Sequence, residues 1–495
     1  MAFPMPALPP VPALRVRVLN HAEVRGDGKF VLYGMTLFRR VRSNFALQRA
    51  LEWGEKLKRP VVVLETLKAD YPYASERIHA FMLQGMAENA RRLEGTAVLH
   101  YPWVGEAPGA DAGQVAALAA RACVVVADDW PAFFLPKFMA DTAAPLDVRF
   151  ELVDSNGLLP LRATDRVFPT AYSFRAFLQK ELPKHLQDFP VEDPVALAEI
   201  PRATPALVKD VLSRWPAAGD ALLEARPEAL AALPIDHRVT PVSLVGGSHV
   251  AEKKLAEFLA RKLERYPEDR NEPELDGTTG LSPYLHFGHL CTHQVFTALA
   301  KTERWTPGKL TKSNGGKREG FWKMSPAAEA FVDQFVTWRE LGFNGTKRAE
   351  FFTPDGLPAF ARATLEKHAG DVRKYRYSYE QFESGRTHDA LWNAAQLKMV
   401  RTGWMHNYLR MLWGKKILEW STDYREAYAT MERLMNTWAL DGRDPNSYAG
   451  YGWVCGLYDR AWGPERPVFG TVRYMSSDNT ARKLNVKDFI RRYAP

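Results

Sequence analysis

The sequence predicts two unlike halves: an N-terminal α/β half built on a doubly wound, Rossmann-like parallel sheet, and a C-terminal all-helical half. Three observations support this. In the first third, short β-branched runs alternate with helical stretches, and strands so continuously apolar belong to a parallel sheet covered on both faces. Between Asn156 and Gly247 prolines recur while Leu, Val and Phe stay plentiful, the pattern of a long connector that wraps rather than one that is disordered. Beyond Gly247 the strand signal nearly vanishes and helical periodicity takes over. The divisions fall at residues 1–155, 156–246 and 247–495.

In order along the chain, MAFPMPALPPVPALRVRV has prolines suited to an extended arm and lacks the basic and apolar regions of a signal peptide. Strands are expected at VLYGMTLF (31–38), PVVVLETL (60–67), TAVLHYPWV (96–104), ACVVVADD (122–129) and DVRFELVD (147–154). Helices are expected between them at Phe45–Lys58, Ser75–Leu93 and Ala112–Arg121. Such sheets usually bind ligands at the carboxyl ends of their strands. No GxGxxG and no Walker A motif is present. In the second half, helices are expected at 249–266, 289–302, 325–343 and 422–440. A pair of long helices joined near Arg401-Thr402-Gly403 comes before the last of these.

The composition is that of an ordinary globular protein, with 46% hydrophobic and 25% charged residues, and a net charge of +8 points to one basic face suited to a phosphate-rich partner. Cys123, Cys291 and Cys455 are scattered, which fits neither a disulfide framework nor a metal cluster and suits a reducing cytoplasm. No apolar run approaches a membrane span. The informative excess is tryptophan, 14 in all. Trp392, Trp404, Trp413, Trp420, Trp438, Trp453 and Trp462 crowd the last quarter.

The helix pair RTHDALWNAAQLKMVRTGWMHNYLRMLWGKKILEW (386–420) mixes tryptophans, histidines, amides and cations. That is too polar for a plain core helix and too apolar for a solvated one, so it suits the lining of a cavity for a large, flat, partly polar ligand. In DGTTGLSPYLHFGHL (276–290), hydroxyls and glycines run into a helix at Ser282-Pro283. This suits a pyrophosphate, or simply a well-capped helix. WREL (338–341) reads as a site or as a buried ion pair, and DGRDPNSYAGYGW (441–453) as a ligand loop or a capping turn. The basic runs 39–50 and 312–320 would lie on phosphates or form solvated faces.

Taken together, DGTTGLSPYLHFG, WREL, RTHDALWNAAQ, MHNYLRMLWGKKILEW, DGRDPNSYAG and FGTVRYMS resemble the photolyase/cryptochrome family, specifically its class II cyclobutane pyrimidine dimer photolyases. The resemblance covers nearly the whole chain. It implies an antenna domain followed by a helical domain holding FAD in a bent form. Light would excite the fully reduced flavin, which would pass an electron to a flipped-out thymine dimer in UV-damaged DNA. By that likeness Tyr266, Thr279, Gly280, Leu281 and Ser282 meet the FAD phosphates and ribose. Arg339, Asn407, Arg410 and the Asp441-Gly442-Arg443 turn surround the flavin and adenine.

The same likeness puts Glu340 under the dimer, hydrogen-bonded to a thymine carbonyl, with Met411 and Trp453 packed on the thymines. Trp413 and Trp392 resemble the inner and outer tryptophans that reduce the flavin by light, with Trp420 and Tyr377 as further members. Class II relatives imply an antenna pigment of the 8-hydroxy-5-deazaflavin type or none, and the chain is expected to act as a monomer. Trp338-Arg339 and Met405-His406-Asn407 are worded closer to class I. Met435-Asn436 stands where class II members tend to place an asparagine beside flavin N5. A photoreceptor without repair is the rival reading. Keeping Glu340, Met411 and Trp453 favours repair, and so does the lack of a long tail after Pro495.

Overall fold

The computed structural model describes residues 8–495, so the start of the proline-rich arm lies outside the described residues. The sheet comprises β1 (Val16–Val18), β2 (Phe30–Met35), β3 (Val61–Leu67), β4 (Leu99–Val104), β5 (Ala122–Asp128) and β6 (Phe150–Val153) in the order β1-β6-β5-β2-β3-β4. All neighbours run parallel except β1, which pairs antiparallel with β6 at one edge. The apolar run of β2 reads on to residue 38, yet the strand stops at Met35. There the N–H groups of Thr36, Leu37 and Phe38 turn inward to donate to Asp128 Oδ2 at 2.9, 2.7 and 2.8 Å.

Helices α1 (Phe45–Leu57), α2 (Glu76–Leu93), α3 (Gln114–Ala119) and α4 (Leu135–Ala143) cover the sheet. The first begins where Asn44 Oδ1 accepts from Ala46 N and Leu47 N, leaving few orphan donors at its start. Neither β1 nor α4 was expected from the sequence. Within the basic run 39–50, Arg39 and Arg40 are buried: Arg39 pairs with Glu65 at 3.3 Å, and Arg40 donates to Gly288 O in the helical half and to Ser155 Oγ at 3.0 and 2.8 Å, while Arg42 and Arg49 stay half-exposed in ion pairs.

Residues 156–246 carry α5 (Ala171–Glu181) and several one-turn helices, and they bridge the two halves. Ala203 N and Ala218 N donate to Ala97 O and Pro102 O beside β4, while Asn344 accepts from Phe168 N on the helical side. The helical half contains α6 (Ser248–Arg261), α7 (Ser282–His286), α8 (Thr292–Thr302), α9 (Pro326–Val332), α10 (Arg339–Gly345), α11 (Ala390–Thr402), α12 (Asn407–Trp420), α13 (Tyr424–Trp438) and α14 (Pro445–Val454). A π-helical turn, Asp333–Trp338, joins α9 to α10. The stretch 249–266, expected as one helix, breaks after Arg261. Gly403 closes α11 in the left-handed conformation, at φ 72°, so the expected joint between the long helices falls at this residue.

Candidate functional site

Helices α11 and α12 place their tryptophans against one another in the core. Trp392 lies parallel to Trp413, with centroids 6.4 Å apart and planes 3° apart, and edge-on to Trp420 at 5.7 Å. Tyr377 follows, 5.3 Å beyond Trp420. Trp392 Nε1 donates to Trp413 O at 3.0 Å and Trp413 Nε1 to Gln396 Oε1 at 2.9 Å, so both buried indoles are hydrogen-bonded and fixed. The structure thus brings Trp413, Trp392, Trp420 and Tyr377 into one chain of rings. It runs from the buried face of α12 to the half-exposed Tyr377.

One turn before Trp413 on α12, Arg410 opens a polar cluster. Its Nη2 donates to Asp441 Oδ1 and Oδ2 at 3.2 and 3.1 Å, and Ser282 Oγ donates to Asp441 Oδ2 at 2.7 Å. Leu281 is buried, with its N–H on Thr279 Oγ1 at 3.2 Å. Thr279 and Ser282 stay half-exposed, and a Cβ built on Gly280 would meet nothing within 4 Å. Tyr266 is buried between Phe258 and Phe331, at 5.4 and 5.5 Å. Asn407 is exposed at the start of α12. Arg410 Nε, Tyr451 Oη, Asn436 Nδ2 and both ring nitrogens of His406 are buried with no partner among the described residues. Buried polar atoms are rarely left so, and a polar ligand is one way to satisfy them.

Glu340, Arg339 and Arg443 each hold hydrogen bonds within the protein. Glu340 is buried in α10 with its carboxylate turned to the connector, accepting from Leu158 N at 2.6 Å and Leu159 N at 3.2 Å. Gly157 packs so close that a Cβ there would sit 2.7 Å from Glu340 Oε1. Burial pushes the Glu340 carboxyl up to about 7, against the pull of Arg339 and the two N–H groups. Arg339 donates to Asn156 O at 2.6 Å and lies over the Phe343 ring, so it too serves the seam between halves. Arg443, at φ 61°, donates to Ala439 O and Leu440 O at 3.2 and 3.3 Å, and to Asn436 O, closing the end of α13. Gly442 is needed for space, since a Cβ there would lie 2.6 Å from Met435 O.

The π turn sets where Glu340 faces. One extra residue per turn rotates everything beyond it by about 100° relative to a regular helix. Across this turn Gln334 and Trp338 stay half-exposed while Asp333, Val336 and Thr337 are buried. No feature of the sequence marks the turn. Met411 and Trp453 are also half-exposed. Beneath Trp453 lies the buried Lys415, one turn beyond Met411, with Nζ 4.9 Å from the indole centroid and donating to Val454 O at 2.6 Å. Burial lowers the Lys415 ammonium to about 7.

A separate cavity opens at the carboxyl ends of the strands. Gly34, Thr36, Tyr71, Trp130 and Phe134 line it from the α/β half and Arg443 from the helical half, around about 1170 Å³ of space with the mouth included. None of the four chain aromatics lines it. Tyr71 Oη is buried there without a partner among the described residues, and burial pushes that phenol up to about 12.

The fold and site define a two-domain protein in which a Rossmann-like half is docked on a helical half enclosing an aromatic chain beside a polar cluster. The chain is 31% identical over 485 residues to the deoxyribodipyrimidine photo-lyase of Methanothermobacter thermautotrophicus, covering 97% of this chain and 98% of that one. It is 31% identical to the Potorous tridactylus enzyme of the same name, covering 97% and 84%, and 32% identical to that of Oryza sativa, covering 96% and 89%. Cryptochrome-1 of Sinapis alba matches at 30% over 33% of this chain. A bacterial class III photolyase structure from Agrobacterium tumefaciens superposes with a TM-score of 0.65 at 18% identity, covering 94% of this chain and 86% of that one. No family model matches. The chain belongs to the photolyase/cryptochrome family.

Proposed function

We propose that this protein repairs cyclobutane pyrimidine dimers in UV-damaged DNA by light-driven electron transfer, as a class II member of its family with FAD in the helical half (247–495). The observation that carries the reading is the junction on α12. There the aromatic chain ends at Trp413, three residues from an arginine whose Nε is buried and unpaired. The donors left free at Arg410, Tyr451, Asn436 and His406, and the open space at Gly280, fit a dinucleotide rich in phosphate and carbonyl oxygens. Bound there, reduced FAD would supply, on absorbing light, the electron that opens the dimer ring.

The chain's own residues do the rest. Asp441 orients Arg410 and Ser282, and Tyr266, Thr279, Gly280, Leu281 and Asn407 complete the wall toward the phosphates and adenine. Trp413, Trp392, Trp420 and Tyr377 relay electrons inward to restore the reduced state. A dimer cannot reach a buried flavin from within the duplex, so it must be extruded, and a damaged, poorly stacked step is the least costly to flip. Met411 and Trp453 replace the lost stacking, and Lys415 and Arg473 lie near the indole, 4.9 and 5.8 Å from its centroid.

The dimer-facing polar contact expected of Glu340 passes in this reading to Gln334. It is half-exposed on the π turn with Trp338, and its carboxamide can donate to a thymine carbonyl. The cavity beside Tyr71 and Arg443 suits a flat antenna pigment of the 8-hydroxy-5-deazaflavin type in residues 1–155.

Dimer-containing oligonucleotide incubated in blue light and in darkness tests the proposal. Repair in light alone is expected. Flavin that reduces under light without repair would favour the photoreceptor reading, and neither change would refute both.

A further inference from the structure

The outer end of the aromatic chain is built differently from its middle. Tyr377 Oη lies 2.5 Å from His388 Nδ1, and the backbone N–H of His388 donates to the same phenol oxygen at 3.0 Å. With that acceptor position filled, the phenol's own hydrogen is left to donate, and Nδ1 is the atom it reaches. His388 is held in place by rings. Tyr375 stacks on it at 3.7 Å, and Trp420 lies 5.3 Å away edge-on, the same separation as Trp420 from Tyr377. Both His388 and Tyr375 are exposed, so a proton arriving on the imidazole is one step from water. Trp392 and Trp413 have no such partner, since their indole N–H groups donate to a backbone carbonyl and an amide oxygen.

We propose that His388 is the proton acceptor for Tyr377, so that oxidation of the chain comes to rest on a neutral tyrosyl radical at the surface. The proposal rests on the electron relay given above. The oxidant is the tryptophan radical cation left when that relay has delivered an electron inward. An electron passes from Tyr377 to oxidised Trp420, the Tyr377 O–H bond breaks, and the proton forms a bond to His388 Nδ1. Trp420 is restored, Tyr377 is left as a neutral radical and His388 as imidazolium. Charge is conserved, because the positive charge moves from indole to imidazole. A phenol that kept its proton would be a poor resting place for the hole, so the adjacent base favours the step.

The test uses full-length protein with oxidised flavin bound, flashed with blue light and followed by transient absorption and electron paramagnetic resonance in H₂O and D₂O. In the wild type the tryptophan radical should give way to a tyrosyl signal, more slowly in D₂O. His388→Gly should hold the radical on tryptophan, and added imidazole should restore the tyrosyl signal. Tyr377→Phe should also hold it there, without rescue. His388→Gln keeps an acceptor atom but is a far weaker base, and it should behave like the glycine variant, which separates proton transfer from mere packing. Tyrosyl formation at the wild-type rate in either His388 variant, with no isotope effect, would overturn the proposal. Absence of any tryptophan or tyrosyl radical in the wild type would instead overturn the relay, and this proposal with it.

Discussion

Trp413 and Arg410 share one stripe of α12, and the site turns on that adjacency. Replacing Trp413 with Phe should block photoreduction of bound oxidised flavin while sparing repair by chemically reduced protein. Flash photolysis checks the first part and a repair assay in dithionite the second. Glu340 leads to a different expectation. Glu340→Ala would orphan two buried N–H groups and should cost about 1–3 kcal/mol, read from denaturant unfolding, with little direct effect on ring splitting.

Its ionisation gives a second reading of the same side chain. Burial raises the folded carboxyl from 4.5 to about 7, so between those values the folded state holds a proton that the unfolded chain has released. The stabilisation this gives is full below about 4.5 and is lost as pH rises to about 7. Stability of the wild type should therefore fall across that window relative to Glu340→Gln, which cannot ionise. Parallel curves would remove Glu340 from the pH dependence.

The helices show which parts of the site could be read from sequence. The strands were legible because a run such as ACVVVAD is buried on both faces, and the long pair α11 and α12 because tryptophan at helical spacing survives any choice of boundary. Arg410, Asp441 and Ser282 are hydrogen-bonded together, while Glu340, Arg339 and Arg443 turn to other partners, because facing is decided by geometry that composition does not encode. A π turn rotates α10, and the left-handed Arg443 turns its side chain back onto α13. If Gln334 and Trp338 form the dimer-facing side, Gln334→Ala and Trp338→Ala should each weaken binding of dimer-containing DNA severalfold in a gel-shift titration while flavin content stays unchanged.

Helix α2 gives the matching structural test. Arg77 donates to Trp438 O, Val400 O and Thr240 O at 2.5, 2.7 and 3.0 Å, a cation set against the carbonyl ends of α13 and α11. Arg77→Ala should cost about 1.5–3 kcal/mol by thermal unfolding, the range for hydrogen bonds to a charged donor.

Taken whole, the molecule joins its halves through buried arginines. Arg15, Arg40 and Arg77 each carry hydrogen bonds from the α/β side to the connector or the helical half. That docking holds a cavity at the carboxyl ends of the strands, where doubly wound folds bind ligands, next to a helical half with its own site. Gly34 lines the cavity, and a Cβ there would meet its nearest neighbour at 3.9 Å, so a larger side chain would project into free space. Gly34→Ile should abolish any second pigment while leaving flavin bound, as separate absorption bands would report.

The proposed repair depends on a flavin held by the helical half within electron reach of Trp413. The absorption spectrum of the purified protein, taken before and after blue light with an external reductant present, tests this most directly. Flavin bands that bleach under light in the wild type, and persist in Trp413→Phe, are the expected result. A protein that is colourless as purified, and remains so after incubation with FAD and removal of the excess, would contradict it.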